Sequence, residues 1–245
     1  MKILTLNTWQ ERGPWQARWD VTLAELTALL PDFVCFQELF NREWALELQK
    51  RACFNTLLFP KGPSGLVIYS RWPAKSWGEV ELPKSPLEEY RRYALWSEFE
   101  RGGAEFFLVN THLSWKSEDS QSRLKQADAL LNLLKKKAGG KEVVIAGDLN
   151  ATPPSPEIRR LTWDGKCIDI FHRLHQLEEK FTWDNRNPYA AGSEHKMPDR
   201  RVDFILTQNA GRLFGNPVFC DLVFTKPGEN GVFASDHFGM LAEFK

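Results

Sequence analysis

Apolar positions along the chain switch between helical spacing and short unbroken runs. Trp19, Leu23, Leu26 and Leu30 recur at helical spacing, and Pro31 closes the helix they predict. A second helix is predicted over Arg42–Arg51. The longest spans Ser120–Lys137, with Leu124, Ala127, Leu131 and Leu134 on one face and Gly139-Gly140 past its end. Lys135-Lys136-Lys137 suits the negative end of that helix dipole and reads as a solvated cap. Strand-like runs fill the rest: Lys2–Asn7, Phe33–Phe36, Asn55–Phe59, Leu66–Tyr69, Ala94–Glu100, Glu105–His112, Val143–Ala146, Val202–Thr207, Val218–Phe224 and Met240–Phe244. The polar stretch Asp184–Arg200 is predicted to be a loop laid over a surface. With no fixed-period repeat and no linker, the pattern predicts one α/β domain over residues 1–245, its mixed sheets covered by helices on their outer faces.

Hydrophobic residues make up 42% of the 245 and charged residues 26%, which excludes a disordered chain. Lysine plus arginine (32) equals aspartate plus glutamate (32), so gross charge cannot drive binding to nucleic acid or acidic membranes; only a local basic patch could. No apolar run approaches the roughly 20 residues that cross a bilayer. The Met1–Asn7 start lacks the features of a secretory signal. Cys35, Cys53, Cys167 and Cys220 are widely spaced without a Cys-x-x-Cys pair, which predicts reduced, mostly buried thiols. A soluble, cytoplasmic monomer is expected.

The apolar runs end on unusual residues. The first stops at Asn7, the second at Glu38, the Phe106–Val109 run at Asn110-Thr111-His112, and Val143–Ala146 at Gly147-Asp148-Leu149-Asn150. Alternation puts Asn110 with His112 on one strand face, and Asp148 with Asn150 if the extended backbone persists. Asp203 opens a strand after Arg200-Arg201, and must run antiparallel to the others to meet the same rim. Ser235-Asp236-His237 precedes the last strand. Any one of these is most simply a turn residue or a solvated pair; their repetition at strand end after strand end is not. Carboxylate and amide oxygens without cysteine suit magnesium or manganese rather than zinc. With histidine and aspartate beside them, the chemistry that fits is metal-assisted hydrolysis of a phosphate ester by water.

Leu-Asn7-Thr-Trp, Phe-Gln-Glu38, Asn-Thr-His112-Leu, Gly-Asp148-Leu-Asn150, Arg-Arg-Val-Asp203-Phe-Ile and Ser-Asp236-His237, in that order, resemble the endonuclease/exonuclease/phosphatase superfamily. That superfamily includes deoxyribonuclease-I-like enzymes, abasic-site endonucleases, neutral sphingomyelinases and inositol-polyphosphate 5-phosphatases. The resemblance implies a four-layer α/β/β/α sandwich of two mixed β-sheets with the site at one edge. It implies Glu38 as principal ligand of Mg2+ (or Mn2+), with Asn7 and Asp236 nearby. Asp148 would position or deprotonate the attacking water, and Asn150 would hold that water or a phosphate oxygen. His237, oriented by Asp203, would donate to the scissile phosphate, and His112 would contact it from the opposite side. A glutamate or a tyrosine steadies the second histidine in such enzymes; Glu88 and Glu89 precede Tyr90 here, and the partner of His112 stays open.

The implied activity is divalent-metal-dependent hydrolysis of a phosphate ester, foremost a phosphodiester, with nucleic acid among the partners. A phospholipid-headgroup hydrolase of sphingomyelinase type or a small phosphate monoesterase is the alternative; a non-catalytic module is disfavoured because the set is intact. Trp115 and Trp183 are candidates for stacking on a nucleobase or touching a lipid headgroup, against the plainer role of bracing loops. Arg200 or Arg201 is a candidate partner for substrate phosphate, against pairing within the protein.

Overall fold

The computed structural model describes residues 1–245. Strand β1 (Lys2–Asn7) leads through helix α1 (Trp15–Leu29) into β2 (Phe33–Gln37), which lies parallel to β1. Helix α2 (Arg42–Arg51) and strands β3 (Thr56–Leu58), β4 (Val67–Ser70), β5 (Ser76–Glu81), β6 (Tyr93–Arg101) and β7 (Ala104–His112) follow. Helix α3 (Ser120–Lys137) carries the chain to β8 (Glu142–Asp148), parallel to β7. Short elements come next: α4 (Pro156–Arg159), a π-helical turn (Arg160–Asp164), β9 (Ile168–Asp169), α5 (Ile170–Leu174) and α6 (Pro188–Ala191). Strands β10 (Asp203–Gln208), β11 (Pro217–Val223) and β12 (Gly239–Phe244) complete the chain.

Two six-stranded sheets result, ordered β11-β12-β1-β2-β4-β3 and β5-β6-β7-β8-β10-β9. Each has one parallel pair at its centre and antiparallel pairs elsewhere. Side chains of alternating parity serve different layers, which is why these strands read as unbroken apolar runs. Ile3, Phe33, Cys35, Phe106, Leu108, Val144 and Ala146 fill the space between the sheets. Their neighbours Leu4, Leu6, Val34 and Phe36 face outward beneath α1 and α2, while Phe107, Val109, Val143 and Ile145 pack beneath α3. The result is the four-layer α/β/β/α sandwich. No helix is long and apolar enough to cross a membrane.

Toward one end of the sandwich the inter-sheet core turns polar. Gln37, fully buried, donates to Asn110 Oδ1 at 2.8 Å across the gap between sheets, and Asn110 donates to the carbonyls of Phe36 (2.8 Å) and Val67 (2.9 Å). Asn110 therefore braces the core and does not join the rim with His112. Gly147 (φ 151°) lets β8 approach β7 beside it; a Cβ there would come within 2.0 Å of the Thr111 carbonyl oxygen.

Several expectations shift. Helix α1 starts at Trp15, before the Trp19 periodicity, and Leu30 is its left-handed C-cap, 57% exposed rather than core. The buried stripe of α3 is Arg123, Gln126, Ala127, Leu130, Leu133 and Leu134, so Leu124 and Leu131 lie at its margin. Strand β5, whose Ser-Trp-Gly-Glu-Val-Glu sequence has no apolar run, and the short elements between residues 156 and 174 escape the periodicity altogether. Within Asp184–Arg200 the turn α6 is capped by the Asn187 side chain. Cys35, Cys167 and Cys220 are buried free thiols, whereas Cys53 is exposed.

Candidate active site

Asn7 ends β1 with its amide fixed at both ends. Oδ1 accepts the Trp9 N–H at 3.0 Å, which directs Nδ2 to Glu38 Oε1 (3.3 Å) and Asp148 Oδ2 (3.0 Å). Asn7 thus stands beside Glu38, as the resemblance implies, and its two N–H groups reach two carboxylates, one from each sheet. Glu38 stands one residue past β2 with φ 58°, and Trp9, Gln10 and Asn150 also adopt left-handed backbone.

Asp148 is the hub. Its Oδ1 accepts the Asn150 N–H at 2.9 Å, and its Oδ2 lies 3.5 Å from His112 Nε2 and 3.8 Å from His237 Nε2. The antiparallel register sets Asp203 directly across from Asp148, and Asp203 Oδ2 holds His237 Nδ1 at 2.9 Å. Burial and then the charge of Asp203 push Asp148 up to about 6, against the pull of His237, Asn7 and Asn150. Burial opposes charge on His237, but the charge and hydrogen bond of Asp203, with Asp148 and Asp236 adding, outweigh it and raise His237 to about 10. Burial, then the charges of Arg92 and His237, hold His112 well below its usual range. At neutral pH the site thus contains a protonated His237, a neutral His112 and a carboxylate between them.

Asp236, 7% exposed, has no donor nearer than the Ser235 hydroxyl at 3.2 Å, and that proton is claimed by the shorter bond to the Asn7 carbonyl at 2.6 Å. Burial, opposed by His237 and reinforced by Glu38, pushes Asp236 up to about 7. Glu38 likewise receives only the Asn7 amide. Two carboxylates near enough for the charge of one to act on the other, both short of donors, are a hard-oxygen set that fits a divalent cation. Asp148, Asp203 and His237 also bring one donor atom each within 4.8 Å of one another. We read those as an ion-paired cluster, because the imidazolium already balances its carboxylates.

The remaining candidates divide. Arg200 is half-buried, its Nε has no protein acceptor, and Asp148 is the acidic charge that acts on it. Arg201 is corrected: it pairs with Asp169 (Nη1 to Oδ1 at 3.3 Å) beneath the rings of Phe171 and Phe204, away from the rim. Trp183 meets His237 edge-on at 5.3 Å with its buried indole N–H unpartnered. The half-buried ring of Trp115 is taken up by His195 at 4.6 Å and the Lys116 ammonium at 4.2 Å, which is the bracing alternative to stacking on a base. Asn150 donates Nδ2 to the Leu113 carbonyl at 3.1 Å, and its left-handed backbone breaks the extended alternation with Asp148. The long loop is fastened around the rim at Trp115 through His195, at Trp9 through Tyr189 (4.8 Å), and at the Ser235 carbonyl through Asn187 (2.8 Å).

Glu88, near the place where the sequence left the partner of His112 open, makes no ion pair with it; it accepts the Trp115 N–H at 2.5 Å and Arg92 Nε at 2.8 Å, and the Arg92 charge acts on His112. Two groups escaped the sequence reading. Arg18 and Arg123, each on the buried stripe of a helix, hold the loops beside the site. An arginine at a helix position facing core leucines is the signal that could have found both.

Residues 4–237 match the Endonuclease/Exonuclease/phosphatase family, and the chain belongs to it. Tyrosyl-DNA phosphodiesterase 2 of Gallus gallus is 26% identical over 250 residues, covering 98% of this chain and 66% of that protein, so the chain spans only part of this relative's length. Truncated Caenorhabditis elegans TDP2 shares the fold with a TM-score of 0.82 at 21% identity, over 99% of this chain and 96% of that one. D. rerio TDP2 complexed with single strand DNA product gives 0.81 at 21%, over 100% and 98%.

Proposed function

We propose that this protein is a Mg2+-dependent phosphodiesterase, with the end of a single DNA strand as its foremost substrate and a tyrosyl adduct there as the leaving group to test first. The observation that carries the reading is Asp148, held at both oxygens between Asn7 and Asn150 and flanked by a neutral and a protonated histidine. Glu38 and Asp236 would hold the cation, which when bound supplies Lewis-acid polarisation of the phosphate. Asp148 orients the attacking water and takes its proton, Asn7 fixing the carboxylate during the transfer. His237, kept charged by Asp203, donates a hydrogen bond or a proton to the phosphate oxygen. His112, being neutral, donates without adding charge. Arg200 supplies a cation that zero net charge left unassigned, and Trp183, bonded to it through the main chain, lies beside it to meet the substrate.

The names of the relatives and the D. rerio complex support the DNA end over lipid or monoester. Buried, unpaired cysteines fit a reducing compartment, and we place the protein in the cytoplasm. The test is a panel with and without Mg2+: a 5′-tyrosyl oligonucleotide, single-stranded and duplex DNA, RNA, an aryl monoester and sphingomyelin. Turnover of the tyrosyl or single-stranded substrate only with Mg2+ supports the reading. Preferential turnover of the monoester or the lipid overturns it.

A further inference from the structure

Each half of the molecule keeps one buried arginine at the same place. Arg18 on α1 lies eleven residues after Asn7, and Arg123 on α3 lies eleven residues after His112. They are 2% and 4% exposed, and both reach back to the loop that follows the strand end. Arg123 gives Nε to Glu157 Oε1 at 2.5 Å and its other donors to the carbonyls of Ser114 (3.0 Å), Lys116 (2.6 Å) and Ser117 (3.2 Å).

Arg18 has no carboxylate partner. Its Nε donates to Arg12 O at 3.1 Å, Nη1 to Thr8 O at 2.8 Å and Ala234 O at 2.9 Å, and Nη2 to Trp9 O at 3.2 Å and Gln10 O at 2.7 Å. All the donors of the guanidinium are taken by main-chain carbonyls. Thr8, Trp9 and Gln10 belong to the loop of Asn7, and Ala234 stands two residues before Asp236. A single rigid plane therefore joins two loops whose other hydrogen bond is that of Ser235 Oγ to the Asn7 carbonyl. The ring of Trp9, 4.9 Å from the guanidinium carbon, extends the join to Tyr189 and α6. A buried cation without a counter-ion is costly. Carbonyl dipoles offset that cost here, and Asp236 is the foremost acidic charge favouring it.

We infer that Arg18 is a positioning residue for the cation site: it locks the Asn7 and Asp236 loops into one frame and so fixes the reach of Asp236 toward Glu38. This rests on the reading of Glu38 and Asp236 as the cation's ligands. Groups that orient ligands typically govern affinity by about 10–100-fold. Lysine in its place keeps the charge but cannot span carbonyls arranged for a planar fork.

The test is calorimetric titration of the whole chain with Mn2+, comparing wild type, Arg18→Lys and Arg123→Lys. The Kd is expected to rise about tenfold or more in Arg18→Lys and to stay within about twofold in Arg123→Lys, which loses a comparable buried arginine on the other side. Wild-type affinity in Arg18→Lys overturns the positioning role and leaves the ligand assignment standing. No Mn2+ binding by wild type overturns that assignment and the inference with it. If Arg18→Lys does not fold, hydrogen exchange of the wild type decides. Mn2+ should protect the amides of residues 8–12 together with those of 235–237, and protection confined to 235–237 overturns the inference.

Discussion

The two sheets are built alike and charged differently. In each, a central parallel pair is joined by a long helix, α1 between β1 and β2, α3 between β7 and β8. In each, the first strand of the pair ends on a site residue, Asn7 or His112, and its register partner is Gln37 or Asp148. The β1 half then adds Glu38 and Asp236 and leaves its arginine without a carboxylate. The β7 half balances Arg123 with Glu157 and sets Arg92 near His112. The two halves of this repeated frame thus differ in what they carry: the first holds the donor-poor Glu38 and Asp236 and lends His237, which pairs with Asp148 and Asp203 of the second beside His112. The halves meet at the Asn7–Asp148 bond.

Substitutions that strike one half or their junction can break this comparison. The largest loss is expected at the junction: Asp148→Asn should lower kcat by about a thousandfold, since proton removal and electrostatic stabilisation each contribute on that order. A loss of tenfold or less in steady-state assays would remove Asp148 from the water. Next, Glu38→Gln should weaken Mn2+ binding by at least about tenfold, while His112→Gln should leave that affinity unchanged and lower kcat. Equal effects of the two on calorimetric Kd would erase the division between halves.

A smaller effect sharpens the role of His237. Its raised value means that its charge persists through the usual imidazole range and is lost only as pH climbs through about 10. Asp203→Asn should therefore draw the alkaline limb of the kcat/KM profile down toward about 6.5; an unmoved limb would assign it to another group. The least effect on turnover separates the neighbouring arginines. Arg200→Ala should raise KM about tenfold, the worth of one charge-assisted contact. Arg201→Ala should leave KM alone and lower unfolding stability by about 3–5 kcal/mol, because it strands Asp169.

Much of this was legible in the chain. The unbroken runs around Ile3, Phe33, Phe106 and Val144 announced strands covered on both faces, and the polar groups ending them announced a shared rim. The antiparallel course of the Asp203 strand followed from that rim and is what the register shows. The doubling of the frame was hidden, because the halves keep strand directions but almost no residues in common; the arginine spacing is its trace. Arg201 misled because a sequence cannot say which of two adjacent arginines faces Asp169.

The amide pair Gln37–Asn110 sets a dimension. Sliding one sheet along the other by a residue would strand both amides in a dry core, at about 1–3 kcal/mol for each unmet group. The gap across which the two halves face each other is thereby gauged by side chains that touch no reactant. Widening or tilting that gap, by exchanging the pair for leucines, would detune the chemistry while every reactive group stayed in place.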